Sequence, residues 1–103
     1  ADIDALGLLA PIVGHVGDGN FHVIVLMDEN DPKEVENARI FKERLVARAL
    51  AFDGTCTGEH GVGMGKVAHL EQELGAGVEL MRSIKKALDP DNILNPGKIF
   101  HLD

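Results

Sequence analysis

The sequence predicts an α+β fold in which helices cover a small antiparallel sheet. Two runs rich in β-branched residues flank a glycine-rich turn at positions 17–20, which is the pattern of a β-hairpin. A capped amphipathic segment follows at 31–52, and the second half of the chain alternates helix-forming stretches with glycine and proline breaks. Because few strands are predicted, we expect chain beyond these residues to complete the sheet.

Composition limits the chain to one small acidic domain. Its 103 residues, 45% of them hydrophobic, suffice for a single core, so positions 1–103 are expected to form one domain. The net charge of -7 disfavours nucleic acid and anionic membranes as partners, and no apolar run is long enough for a transmembrane segment. A single cysteine allows no internal disulfide, which favours the cytoplasm or, in a eukaryote, the mitochondrial matrix. The only serine, Ser83, lies in a predicted helix, which disfavours a serine hydrolase.

The hairpin is predicted from two strands, residues 12–16 and 21–27, joined by a turn over residues 17–20. A frayed helix over residues 1–10 is expected to precede it. The longest helix is predicted over residues 31–52 and is expected to lie on the sheet.

Local signals define the start of that helix. Asp31 is a favourable N-cap, Pro32 suits the first helical position, and Glu34 is placed to complete a capping box. Apolar residues recur every three or four positions and predict one buried face: Val35, Ala38, Phe41, Leu45, Ala49 and Phe52.

Shorter elements are predicted in the second half. Residues 55–57 are expected to form a strand that returns to the sheet. Helices are expected from position 64 or 66 to 74 and from 78 to 88, separated by a glycine-rich break. The segment Ile99-Phe100 at the end is predicted to form a last short strand or an anchor.

Two histidines make the hairpin the first candidate site. With residues 17–20 as the loop, His15 lies directly opposite His22, with Cβ atoms about 4.5 to 5.5 Å apart, so both imidazoles could bind one cation. A catalytic metal centre typically uses three protein ligands, and Glu59 or His60, in a glycine-rich loop after a predicted strand, could supply the rest. A structural alternative stays open, in which the histidines bind nothing and the glycines serve tight turns only.

Other binding motifs fit poorly. The loop glycines at positions 61, 63 and 65 alternate strictly and match neither a dinucleotide nor a Walker pattern. Residues 17–20 lack the spaced acidic positions and the distant glutamate of a calcium loop.

Three motifs, in this order along the chain, resemble the C-terminal portion of FAD-linked D-2-hydroxyacid dehydrogenases. They are GHVGDGNFH at 14–22, GTCTGEHG at 54–61 and DPDNILNPGK at 89–98. The similarity is greatest to the D-lactate dehydrogenase (cytochrome) and glycolate oxidase subunit group, and it covers nearly the whole chain. The resemblance implies a ferredoxin-like cap domain, an incomplete part of a larger flavoenzyme.

The resemblance also implies roles for the candidate residues. His15, His22 and Glu59 would hold a divalent metal beside the flavin, with zinc favoured and manganese or iron also suited. His60 would take the hydroxyl proton of the substrate as the α-hydrogen leaves as hydride to flavin N5. The metal would make that hydroxyl more acidic and orient the substrate carboxylate.

The C-terminal motif and the upstream domain complete the implied enzyme. The turn that carries Asn95 and Lys98 would return the chain to the flavin domain and contact FAD. The implied partners are a small 2-hydroxy acid substrate, an upstream FAD-binding domain of the same chain and an electron acceptor. Because most FAD-binding and substrate-gripping residues lie upstream in such enzymes, this chain alone is expected to be inactive.

One departure bears on the substrate. Relatives specific for 2-hydroxyglutarate tend to place Asn two residues after the second histidine, where this chain has Ile24. An apolar side chain there favours lactate or glycolate. The alternative function is a non-catalytic metal-binding or assembly module that shares the cap fold.

Overall fold

The chain divides into two compact units, Ala1–Phe52 and Asp53–Asp103, in a computed structural model that describes residues 1–102. The first unit contains α1 (Asp2–Ala5), β1 (Ile12–His15), a 3-10 turn (Val16–Asp18), β2 (Asn20–Val23) and α2 (Pro32–Ala51). The second contains α3 (Val67–Leu74) and α4 (Ala76–Leu88). An antiparallel two-stranded sheet accompanied by helices confirms the predicted α+β class. The single cap domain expected over residues 1–103 stays a prediction.

The hairpin is closed by a turn one residue earlier than predicted. The loop comprises Val16–Gly19, because Gly19 adopts a left-handed conformation with φ of 72° and its N–H donates to the Val16 carbonyl at 3.0 Å. Asn20 therefore already belongs to β2. The regular part of this strand ends at Val23; beyond it the Ile24 N–H donates to the Pro11 carbonyl at 2.9 Å, and Leu26 pairs with Leu9 in an isolated bridge.

The earlier turn changes the strand register. His15 pairs with Asn20 and His22 pairs with Val13, so the predicted direct opposition of the two histidines is wrong. The shift moves His22 by two positions relative to His15, and side chains alternate between the faces of a strand with a period of two. The two histidines therefore remain on the same face, as diagonal neighbours.

The opposite face of the hairpin packs toward α2. Alternation places Ile12, Phe21 and Val23 on one face, and these residues line a groove together with Phe41 and Leu45 of α2. Phe41 is among the buried residues of this unit. Partial shielding of these apolar groups by α2 supports the hairpin, since an isolated two-stranded hairpin is marginal in water. The histidine face therefore points away from α2.

The start of α2 forms as its sequence predicts, with one difference. The Asp31 carboxylate accepts the Lys33 N–H at 2.9 Å and caps the helix, and Pro32 is its first residue. Glu34 does not complete the capping box, because its carboxylate accepts the N–H of Asp28 at 2.5 Å instead. Phe52, expected in the apolar face, is 86% exposed because the helix ends one residue before it.

The second unit forms both predicted helices and no strand over residues 53–102. The strand expected at 55–57 is wrong: the Cys56 N–H donates to the Glu73 carboxylate at 2.7 Å, where a strand would require a ladder partner. The expected C-terminal strand is also absent from the described residues, and the Ile99 N–H instead donates to the Gly63 carbonyl at 2.6 Å.

The buried apolar residues of this unit are Cys56, Val67, Leu70 and Val78. None of the helices in residues 1–102 has the length and apolar character needed to cross a bilayer.

Gly14 is the glycine on which the hairpin depends most. Its φ is 142°, and a Cβ there would lie 2.7 Å from the Phe21 Cα and 2.9 Å from the Asn20 oxygen. We expect Gly14→Ala to lower the free energy of unfolding by about 2 kcal/mol, since strained backbone conformations typically cost that much. Urea denaturation would measure the change. Gly17→Ala is the matched control, because a Cβ at Gly17 would have no atom within 4 Å; equal losses in both variants would contradict the prediction.

Candidate metal and catalytic site

The hairpin presents two imidazoles on the face that points away from α2. His15 is exposed and His22 is half-buried. Diagonal neighbours in an antiparallel pair have Cβ atoms roughly 7 to 8 Å apart or somewhat less. Two imidazole ligands of one ion can span this separation. The change of register therefore still allows His15 and His22 to bind one cation.

Glu59 and His60 lie in the second unit, in the loop that precedes α3. Glu59 Oε1 is 3.6 Å from His60 Nε2, and the two side chains are 48% and 80% exposed. Both groups are therefore accessible to a ligand. A carboxylate oxygen and an imidazole nitrogen are suitable for holding a cation or for accepting a proton.

Three further residues hold this loop, and no pattern in the sequence indicates them. The Thr57 hydroxyl donates to the Gly61 carbonyl at 2.6 Å, and the Lys66 ammonium donates to the Thr57 oxygen at 3.3 Å. The third residue is Glu73 of α3, whose carboxylate accepts the Cys56 N–H just before this loop. No spacing rule indicated these contacts, because they join groups 4, 9 and 17 residues apart in an irregular segment.

Cys56 is a structural residue of this unit. It is buried, and burial raises the pKa of its thiol, with a further contribution from the Glu73 carboxylate. A raised pKa keeps the sulfur protonated at neutral pH, and the thiol is a much weaker nucleophile than the thiolate. Cys56 is therefore a small buried residue and not a nucleophile.

The C-terminal turn is attached to α4 through one buried carboxylate. Asp89 accepts the N–H groups of Ile93 and Leu94 at 3.0 and 2.9 Å, and it also accepts from the Lys85 ammonium. Lys85 donates in addition to the Leu94 carbonyl. These bonds fix the backbone immediately before Asn95.

The two residues expected to contact a cofactor follow in this turn. Asn95 has a left-handed backbone with φ of 45°, and its carbonyl accepts the Lys98 N–H at 3.3 Å. Both residues are exposed. The structure thus places Asn95 and Lys98 on one fixed turn, while their role toward a cofactor stays a prediction.

The Asp89 carboxylate should give this turn a distinct acid sensitivity. Its hydrogen bond with Lys85, followed by the bond from the Ile93 N–H, holds the pKa of Asp89 at about 2, below the ordinary value of 3.8. A carboxyl whose pKa is lowered by folding contributes stability above its unfolded pKa and loses it as the pH falls toward the folded value. We therefore expect the urea midpoint to fall between pH 5 and pH 2.5, and to fall less in Asp89→Asn. Asp91→Asn is the matched control and should follow the unmodified protein; an unchanged pH dependence in Asp89→Asn would contradict the prediction.

The family is decided by comparison with known proteins. Residues 1–99 match the model of a family described as FAD linked oxidases, C-terminal domain. The chain belongs to this family. The match covers both units and includes the hairpin, the Glu59–His60 loop and the turn with Asn95 and Lys98.

Relatives with established names agree with this assignment. The chain is 52% identical over 103 residues to the probable mitochondrial D-lactate dehydrogenase of Danio rerio, covering 99% of the chain and 21% of the relative. It is also 52% identical over 103 residues to D-lactate dehydrogenase [cytochrome] 1, mitochondrial, of Saccharomyces cerevisiae, covering 99% and 17%. The glycolate oxidase subunit GlcD of Bacillus subtilis is 43% identical over 91 residues, covering 87% and 19%. The chain thus spans about a fifth of the length of these relatives.

These matches confirm the resemblance to FAD-linked D-2-hydroxyacid dehydrogenases. They identify the chain as a C-terminal domain from a family of oxidoreductases that use FAD. The individual roles of His15, His22, Glu59 and His60 stay predictions.

Proposed function

We propose that this chain is the metal-bearing cap of a flavin-dependent dehydrogenase that oxidises a small D-2-hydroxy acid, D-lactate or glycolate, to the 2-oxo acid. Family membership supports FAD as the cofactor, and the names of the relatives support the substrate class. The observation that carries the metal role is the position of His15 and His22 on one hairpin face that α2 leaves uncovered. An upstream domain of the same protein would bind most of FAD.

The donor set fits a divalent cation. His15 and His22 of the first unit supply imidazole nitrogens, and Glu59 of the second supplies a carboxylate, which together make the two-histidine, one-carboxylate set common at catalytic zinc. Zinc is favoured, and manganese and iron accept the same ligands. A bound cation would lower the pKa of the substrate hydroxyl and attract its carboxylate.

His60 is the proposed base. Its side chain is 80% exposed, so that a substrate hydroxyl could reach a ring nitrogen and transfer its proton there. FAD, when bound, supplies the acceptor for the hydride that leaves the α-carbon. The Asn95 amide and the Lys98 ammonium offer hydrogen-bond donors toward that cofactor from the turn that Asp89 fixes.

Ile24 supports a small substrate. It follows His22 by two positions, directly after β2, and the residue is 49% exposed. An isoleucine offers no hydrogen bond to a second carboxylate, and a buried, unpaired carboxylate is costly. Lactate and glycolate lack that group. Of the two compartments expected from the sequence, the names of the animal and yeast relatives support the mitochondrial one.

Anaerobic flavin reduction in the full-length protein tests this function. We expect the purified protein to contain FAD, and D-lactate or glycolate to reduce it about 10²-fold faster than D-2-hydroxyglutarate, as a pocket without the required polar partner would do. L-lactate is the stereochemical control. A full-length protein that binds no flavin would contradict the proposal and favour the non-catalytic assembly module.

A further inference from the structure

We infer that Thr57 is a positioning residue for Glu59 and His60, and that Lys66 orients the Thr57 hydroxyl for this task. The inference rests on the proposed function, because it concerns the two groups to which that function assigns metal binding and proton transfer. Thr57 acts through the backbone of the loop, to which its hydroxyl donates.

The hydrogen bonds run in one direction. A threonine hydroxyl has a single proton, and Thr57 gives it to the Gly61 carbonyl at 2.6 Å. Its oxygen is then left to accept, and the Lys66 ammonium, which can only donate, lies 3.3 Å away. Lys66 therefore donates to Thr57, and Thr57 donates to the Gly61 carbonyl, which fixes the rotamer of the hydroxyl.

These two hydrogen bonds close the loop that carries Glu59 and His60. The backbone contact within the loop, from the Gly61 N–H to the Gly58 carbonyl, is long at 3.4 Å. The hydroxyl bond is much shorter and joins the two ends of the loop. Gly61 itself has a φ of 78°, a conformation that costs glycine little and that leaves the backbone free to move without such a bond.

The base of the loop is anchored to α3. Glu73 accepts the Cys56 N–H at 2.7 Å, and Lys66 directly precedes the first residue of α3. The ends of the loop are thus tied to a helix, while the side chains of Glu59 and His60 stay exposed. A fixed backbone that carries exposed functional groups is the arrangement that preorganises ligands and bases for catalysis.

Substitutions at Thr57 in the full-length protein test the inference. Thr57→Val removes the hydroxyl at nearly constant volume, Thr57→Ser retains it, and Thr55→Val is the matched control at an exposed threonine two residues earlier. We expect Thr57→Val to lower kcat by about 10- to 100-fold with KM within about twofold, and to raise the Kd for Zn²⁺ about tenfold. Thr57→Ser and Thr55→Val should remain close to the unmodified protein.

Amide exchange measured without metal reports the loop directly. In Thr57→Val the amides of residues 58–61 should exchange about tenfold faster than in Thr55→Val, which corresponds to the loss of one hydrogen bond. Equal exchange or equal kcat in these two variants would overturn the inference. If Thr57→Val does not fold, Lys66→Met against Lys86→Met provides the same comparison, with the same overturning result.

Failure of the proposed function would give a different result from failure of the Thr57 inference. A Glu59→Gln protein that keeps both its Zn²⁺ affinity and its turnover would contradict the metal role of the loop. Faster exchange in Thr57→Val would then still show that the hydroxyl holds the loop, so the two failures are distinguishable.

Discussion

Replacing His22 by alanine in the full-length protein is expected to remove the bound metal and to lower kcat/KM by about 10³-fold. His22 supplies one of the three proposed ligands, and two remaining ligands make a weak site. A Lewis-acid cation contributes several kcal/mol of charge stabilisation in the transition state, and each 1.36 kcal/mol corresponds to a factor of ten in rate. His22 is the half-buried member of the hairpin pair, so we expect its loss to have at least the effect of His15→Ala.

Metal content measured by mass spectrometry gives a readout that does not depend on activity. The unmodified protein should carry about one equivalent of zinc, manganese or iron, and His22→Ala should carry far less. His101→Ala is the matched control: this histidine is exposed, and its backbone carbonyl, which accepts from Arg82, is retained by alanine. Full metal content and full turnover in His22→Ala would refute the metal role.

His60→Asn should lower kcat by about 10²- to 10⁴-fold, the usual contribution of a general base. Asparagine keeps a polar side chain of similar size but accepts no proton near neutral pH. Because His60 is not among the proposed ligands, metal content and FAD content should stay within about twofold of the unmodified protein. This separation distinguishes a base from a ligand.

Stopped-flow reduction of the flavin by D-lactate measures this effect on the chemical step. His101→Asn serves as the control for an exposed histidine outside the proposed site. A His60→Asn protein that reduces its flavin at the normal rate would exclude His60 as the base. Loss of metal together with turnover would instead assign His60 to the ligand set.

The first unit follows its sequence closely because its signals are local. The glycines at 17 and 19 predict a turn, and the turn forms. Asp31 and Pro32 predict a helix start, and α2 begins at Pro32 with Asp31 as its cap. Capping and turn formation involve groups within a few residues of one another, so a single sequence contains the information.

The register of the hairpin shows the limit of such signals. Two four-residue loops, 16–19 and 17–20, fit the same glycine pattern, and they give different strand registers. Gly19 adopts it in the structure, which brings Asn20 into the strand and sets His15 diagonal to His22. Both registers keep the histidines on one face, so the candidate pair could be predicted even though its spacing could not.

The sequence by itself determined the family, the candidate ligands and base, and the elements whose signals are local. The tertiary structure decided the features that depend on distant partners. The segment 55–57 has the composition of a strand, but the Glu73 carboxylate takes the Cys56 N–H that a strand would have paired. Thr57, Lys66 and Asp89 gain their importance from side-chain hydrogen bonds in or beside irregular segments, and such bonds leave no periodic pattern in the sequence.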